Sequence, residues 1–184
     1  MLVEGVSDQR ALEVLAERRG RDLQAEGVSI ISIGGSRNIG RFLERFGPPG
    51  SNVRVAGLCD AAEEGDFRRG LERAGLGADL ARADMEAMGF FVCDADLEDE
   101  LIRALGAASV EAVVDSHGDL SSFRTFQRQP AQRGRPLEHQ LRRFMGTRSG
   151  RNALYAALLV DALHLNRMPR PFDSVLAHVR VGSA

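Results

Sequence analysis

Over the first 106 residues short apolar runs alternate with amphipathic stretches, the pattern of βα units wound around a parallel sheet. Met1–Val3 predicts a first strand that ends at Glu4. Ser7 is the expected N-cap of a helix with Ala11, Leu12 and Leu15 on one face, closing at Arg18-Arg19 before Gly20. "VSIISI" (28–33) predicts a second strand, followed by a glycine turn and a helix closed by Gly47-Pro48-Pro49-Gly50. The third strand is expected at 53–58, with a helix to about 74, and 76–89 reads as helical where a parallel crossover belongs. Phe90–Cys93 is the fourth strand, and 97–105 the helix after it. From 107 onward only helices are expected, at about 108–116, 119–128, 137–145, 151–165 and 171–180, with an exposed loop over 128–136. The pattern therefore gives an α/β core, 1–106, and an all-helical extension, 107–184.

Acids stand at the ends of these strands. Glu4, Asp60 and the group Asp94, Asp96 and Glu98 each follow a strand's carboxyl end, and in an open parallel sheet those ends share the edge where ligands bind. Carboxylates gathered there repel unless a cation sits among them, and hard divalent ions with oxygen ligands are the usual solution. Mg²⁺ or Mn²⁺ is the expected occupant. Asp8, one helical turn after Glu4, leans toward the same edge, and Glu63, Glu64 and Asp66 add acid after Asp60. That is enough for two ions, the arrangement that serves phosphodiester cleavage. Helix-dipole complementation alone would account for Asp66, Asp99 and Glu100, but not for Glu4 or Asp60.

Charge narrows the chemistry further. All 24 basic residues are arginine, so the chain has no P-loop lysine, no Schiff-base lysine and no lysine nucleophile. The net charge of −2 hides an imbalance: residues 1–123 carry 23 acids against 13 arginines, whereas 124–151 carries eight arginines and one acid, Glu138. Arg124, Arg128, Arg133, Arg135, Arg142 and Arg143 are expected to meet nucleic-acid phosphates and bring them to an acidic edge. Cys59 and Cys93 have no metal-ligand spacing, and His117, His139, His164 and His178 share none either. The start of the chain has neither basic leader nor signal-type apolar segment, so a cytoplasmic protein with no membrane span is expected.

"LVEGVSDQRAL" (2–12), "GGSRN" (34–38), "GLCDAAEEGDF" (57–67) and "CDADLEDEL" (93–101) come in the order and spacing of a Toprim domain. They resemble most closely the Toprim of the OLD (overcoming lysogenization defect) family of nucleases. The resemblance implies a Toprim-like, Rossmann-like sheet of four parallel strands flanked by helices, with the helical extension packed on it. It also implies two-metal cleavage or nicking of DNA. Glu4, Asp60 and Glu98 are the implied catalytic residues, and Glu4, Asp8, Asp60, Glu64, Asp96 and Glu98 the implied metal ligands. Gly5, Gly34, Gly35 and Asn38 shape the turn beside the site, and Arg148 or Arg151 is the implied charge-stabilising cation.

Two departures matter. The second aspartate of the family's Asp-x-Asp is Ala62 here, so Glu63 or Glu64 substitutes or one ion is held weakly. With no ATPase motif in the sequence, gating by ATP would need a separate ATPase polypeptide as a partner besides DNA. Three alternatives stay open: a Toprim enzyme acting on RNA, one catalysing nucleotidyl transfer, and a catalytically weak module that binds DNA or an ATPase. The apolar face of 158–165 is more often core than interface, and a homodimer through it is left open. Strand transfer of the topoisomerase kind is argued against by the sole tyrosine, Tyr155, which lies inside an apolar helix pattern.

Overall fold

The computed structural model describes residues 1–148 and 150–180. Its sheet is formed by β1 (Leu2–Val3), β2 (Ile31–Ser32), β3 (Gly57–Asp60) and β4 (Phe90–Cys93) in the order β2-β1-β3-β4, with every pairing parallel. The register sets Val3 beside Leu58 and Asp60 beside Cys93, so the strand ends carrying Glu4, Asp60 and Asp94 lie along one edge.

Side chains alternate across the sheet as the pleat requires. Val3, Leu58, Phe91 and Cys93 enter one core, and Leu2, Cys59, Phe90 and Val92 the other. The second core is closed by α2 (Ile39–Phe46), α3 (Glu64–Arg73) and α4 (Arg82–Ala87). The first is closed by α1 (Val6–Arg18) and α5 (Leu97–Leu105), followed by α6 (Ala107–Ser116), α7 (Leu120–Gln127), α8 (Leu137–Met145), α9 (Arg151–Ala162) and α10 (Arg170–His178). The two cysteines are buried on opposite faces of the sheet, which keeps them apart.

The helical extension shares its core with the sheet. Leu12 and Leu15 of α1 belong to the same buried cluster as Tyr155, Leu159 and Val160 of α9. Arginines at the end of α1 fasten this packing by donating to carbonyls of the extension, which helix ends otherwise leave unpaired. Arg18 donates to Val160 and Leu163 O at 2.5 Å each, and Arg21 to Leu176 O at 2.5 Å. Arg19 donates to Leu165 O at 2.8 Å and pairs with Asp173 at 2.7 Å. The apolar face of 158–165 is thus largely internal, with Leu159, Val160 and Leu163 buried.

Some expected boundaries moved. The strand expected at 53–58 is Gly57–Asp60, and Val53 is exposed. β4 begins at Phe90 after the left-handed Gly89, so residues before Ala56 meet no strand on that side. The helix expected over 76–89 is confined to Arg82–Ala87, because positive φ at Gly75, Gly77 and Asp79 turns the chain first. The first helix is capped by Gly5 and Asp8 rather than Ser7, and α9 stops at Ala162. The stretch 128–136 is an exposed loop apart from Gln132, whose carbonyl accepts from Gln140. Among the described residues no helix is long and apolar enough to cross a membrane.

Candidate metal and nucleic-acid site

Glu4 leaves β1 and turns at once into α1. The Gly5 N–H donates to Asp8 Oδ2 at 2.7 Å, which caps the helix and holds the buried Asp8 carboxylate against the sheet edge. Behind Glu4 the chain makes a left-handed turn at Gly34 and Gly35, where the Gly35 N–H donates to Glu4 O at 3.1 Å. Asn38 Nδ2 closes that turn on Ile33 O and Gly34 O at 2.9 and 3.1 Å. A side chain at Gly34 or Gly35 would be strained at those φ angles, which is why glycine serves there.

Asp60 ends β3, and the chain turns through Ala61-Ala62, with the Glu63 N–H donating to Asp60 O at 3.0 Å. That turn carries the Glu63 carboxylate back to the edge. Oxygens of Glu4, Asp60 and Glu63 lie within 4.8 Å of one another. Glu64, the neighbouring candidate, starts α3 and pairs instead with Arg82. Ala62 itself is exposed. The structure thus places Glu63 at the position facing Glu4, and not Glu64, the residue expected among the ligands. A tight Asp60-to-Glu63 turn before a helix beginning at Glu64 is the signal that separates the two.

Asp96 and Glu98 lie near enough to raise Asp60 but outside the Glu4–Asp60–Glu63 group. Asp96 caps α5, its Oδ1 accepting from the Asp99 N–H at 2.8 Å, and its Oδ2 pairs with Arg142 of α8. Asp94 points away, 3.4 Å from Arg103.

The electrostatics follow from this crowding. Burial, then Asp8, Asp96, Glu4 and Glu98, push Asp60 up to about 8. Burial, then Glu63, Asp8 and Asp66, raise Glu4 to about 7. Asp8 rises to about 6 through burial and, secondarily, Asp96. Glu98 rises to about 7 through burial and Asp96, with Arg142 pulling it back. Acids shifted upward together are short of positive charge. Glu4 Oε2 adds a direct sign of this, being buried with no hydrogen-bond partner among the described residues. The donor set is all carboxylate and suits a hard divalent cation.

The arginines divide into groups. Arg124 pairs with Glu111, and Arg133 Nε donates to Arg128 O at 3.1 Å. Arg128 and Arg148 are exposed. Arg151, one of the two implied charge-stabilising residues, is buried away from the acids it was expected to serve. It donates to Thr147 Oγ1 at 2.9 Å, pairs with Asp119 at 3.5 Å and stacks 4.2 Å over Phe144. Asp119 also accepts from Tyr155 at 3.0 Å, so this network braces α7, α8 and α9. Within 124–151 the arginine that reaches the acids is Arg142, expected only to meet phosphates.

Residues 1–61 match the family described as "Overcoming lysogenization defect protein-like, TOPRIM domain". The whole described fold is similar to the C-terminal region of the Burkholderia pseudomallei OLD protein, at 20% identity and a TM-score of 0.74, covering 97% of this chain and 94% of that one. This is an OLD-like Toprim fold. It is also similar to the C-terminal region of the Xanthomonas campestris pv. campestris OLD protein, at 23% identity and a TM-score of 0.72, covering 97% of this chain and 89% of that one. No curated protein sequence matches the chain. The Toprim match spans β1, β2 and β3 to Ala61, and therefore includes Glu4, Asp8, the Gly34-Gly35 turn and Asp60.

Proposed function

We propose that this protein is a divalent-metal-dependent DNA endonuclease of the nicking kind. The observation that carries the reading is Glu4: a half-buried carboxylate whose buried Oε2 has no hydrogen-bond partner among the described residues, facing Asp60 and Glu63 at the carboxyl edge of a parallel sheet. Glu4, Asp60 and Glu63 would hold one cation, and Asp8, Asp60, Asp96 and Glu98 a second, Mg²⁺ or Mn²⁺ in each case. Such cations supply Lewis-acid polarisation of a phosphodiester and activation of water.

The chain's own groups do the rest. The Gly5–Asp8 cap and the Asn38-closed turn fix Glu4 and Asp8 before any ligand arrives, which spares reorganisation at the moment of reaction. Arg142 brings a permanent positive charge beside Asp96, where an anionic backbone must approach an acidic edge. Glu63 supports an active site over a catalytically weak one, since it brings to the group a carboxylate that Ala62 does not supply.

The test is nicking of supercoiled plasmid with Mn²⁺, comparing wild type with Asp60→Ala. Loss of a shared ligand is expected to lower the rate by about 100-fold or more. Supercoiled DNA left intact by wild type at every Mn²⁺ or Mg²⁺ concentration would overturn the reading, and equal cleavage of RNA would widen the substrate.

A further inference from the structure

One basic cleft lies beside the acidic edge. Arg135, His139, Arg142 and Arg143 line a cavity of about 420 Å³ on the outer side of α8. No acid lines it, and the one acid of the 124–151 segment, Glu138, is not among its walls. Arg135 uses only Nε internally, donating to Ala131 O at 2.7 Å, which leaves its terminal nitrogens for the cleft. Arg143 forms no ion pair among the described residues, and Arg142 bridges from this cleft to Asp96 Oδ2. The cleft around Arg148 and Arg151 offers less, because Arg151 is buried and paired with Asp119, which leaves Arg148 as its one arginine without an ion pair among the described residues.

We propose that this cleft seats a backbone phosphate of DNA, with Arg142 shared between that phosphate and Asp96. The proposal rests on the nuclease reading for its partner, and on the cleft alone for its chemistry. Guanidinium groups match phosphate oxygens in bidentate geometry, and three around one cavity with no acid form a phosphate seat rather than a structural brace. Because Asp96 Oδ1 is held by the α5 cap and Oδ2 by Arg142, a cation recruiting Asp96 competes with Arg142 for the same oxygen. Release of Arg142 turns it wholly toward the cleft. Cation binding at the acids and phosphate binding on α8 are therefore coupled through a single side chain.

The experiment is fluorescence anisotropy of a labelled DNA duplex in EDTA, where cleavage plays no part. Arg143→Gln and Arg135→Gln are expected to weaken binding and to lower the slope of log affinity against log salt by about 1 each. Arg167→Gln, an exposed arginine outside this cleft, should leave the slope within error. Asp96→Asn preserves the α5 cap, since Asn also accepts at that position. It should tighten binding without metal, and the gain should vanish in the Asp96→Asn/Arg142→Gln double variant. Full DNA affinity in the Arg135 and Arg143 variants, or a gain from Asp96→Asn that survives loss of Arg142, overturns the proposal. Metal-dependent nicking that persists beside either result would leave the nuclease reading standing. Absent nicking with the expected binding pattern would instead remove the nuclease reading and keep the cleft.

Discussion

At the scale of single residues, the acids make two separable predictions. Glu63→Gln should weaken Mn²⁺ binding about tenfold or more by titration calorimetry, whereas Glu64→Gln should change it little, removing only the Arg82 pair on the surface, worth about 0–1 kcal/mol. The second concerns pH. Glu4, Asp60 and Glu98 lie at about 7, 8 and 7 in the folded chain, above the ordinary carboxylate range. Folding therefore binds protons at these sites, and stability falls as pH rises from that range through the raised values. Glu86 and Asp66 have the opposite sign, being lowered by Arg170 and by Ser36 with Arg69, and their contribution is lost only on acidification. Thermal melts in EDTA should thus drop steadily between about pH 5 and about pH 8, and saturating Mg²⁺ should flatten that drop. A metal-free melt that rises over this window would contradict the burial of uncompensated charge at the edge. Of these residues, Glu4, Asp8, Asp60, Asp96 and Glu98 were legible from strand-end position and motif spacing. The choice of Glu63 over Glu64 was not, because it depends on where a four-residue turn ends and a helix begins.

At the scale of elements, the sheet depends on close approach at Gly57. A Cβ there would sit 2.7 Å from Phe90 Cδ1 and 3.0 Å from Leu2 O, between two hydrogen-bonded neighbours. Gly57→Ala should cost about 1–3 kcal/mol in urea unfolding through overpacking, with the metal site distorted along with β3. Gly34, outside the sheet, carries a different constraint, φ of +71 rather than a clash. The four strands were legible as apolar runs, yet the third was misplaced along the chain and the second, expected over 28–33, is confined to Ile31–Ser32. Val53 and Val55 look like strand residues by alternation alone, but pairing is decided by partners, and β4 offers none before Phe90. The 76–89 segment has helical spacing, and what breaks it is backbone at Gly75, Gly77 and Asp79 that side-chain periodicity does not record.

At the scale of the molecule, the division into a core and an extension describes the chain's order better than its packing. Residues from both segments fill one continuous cluster, from Val3, Leu58 and Leu97 to Val114, Phe144, Leu159 and Leu176. Arg18, Arg19 and Arg21 tie α1 to the carbonyls of the extension, and Arg142 crosses from α8 to the cap of α5. A protein built this way should unfold in one transition, since opening either part exposes apolar surface of the other. The composition supplies a probe, because Tyr155 is the only tyrosine and there is no tryptophan. Tyr155 lies in α9 with its ring against Phe144 and its hydroxyl on Asp119, so its fluorescence reports first the packing of α7, α8 and α9 around it. Circular dichroism reports helices throughout. The two signals should give coincident urea midpoints, and an isolated 1–106 fragment should lack a cooperative transition because α1 and α5 lose their cover. Midpoints that separate, with the tyrosine signal lost first, would mean that the helices around Arg142 open independently of the acidic edge. The phosphate cleft would then form and dissolve while the metal ligands stay in place, and metal affinity would no longer respond to substitutions on α8.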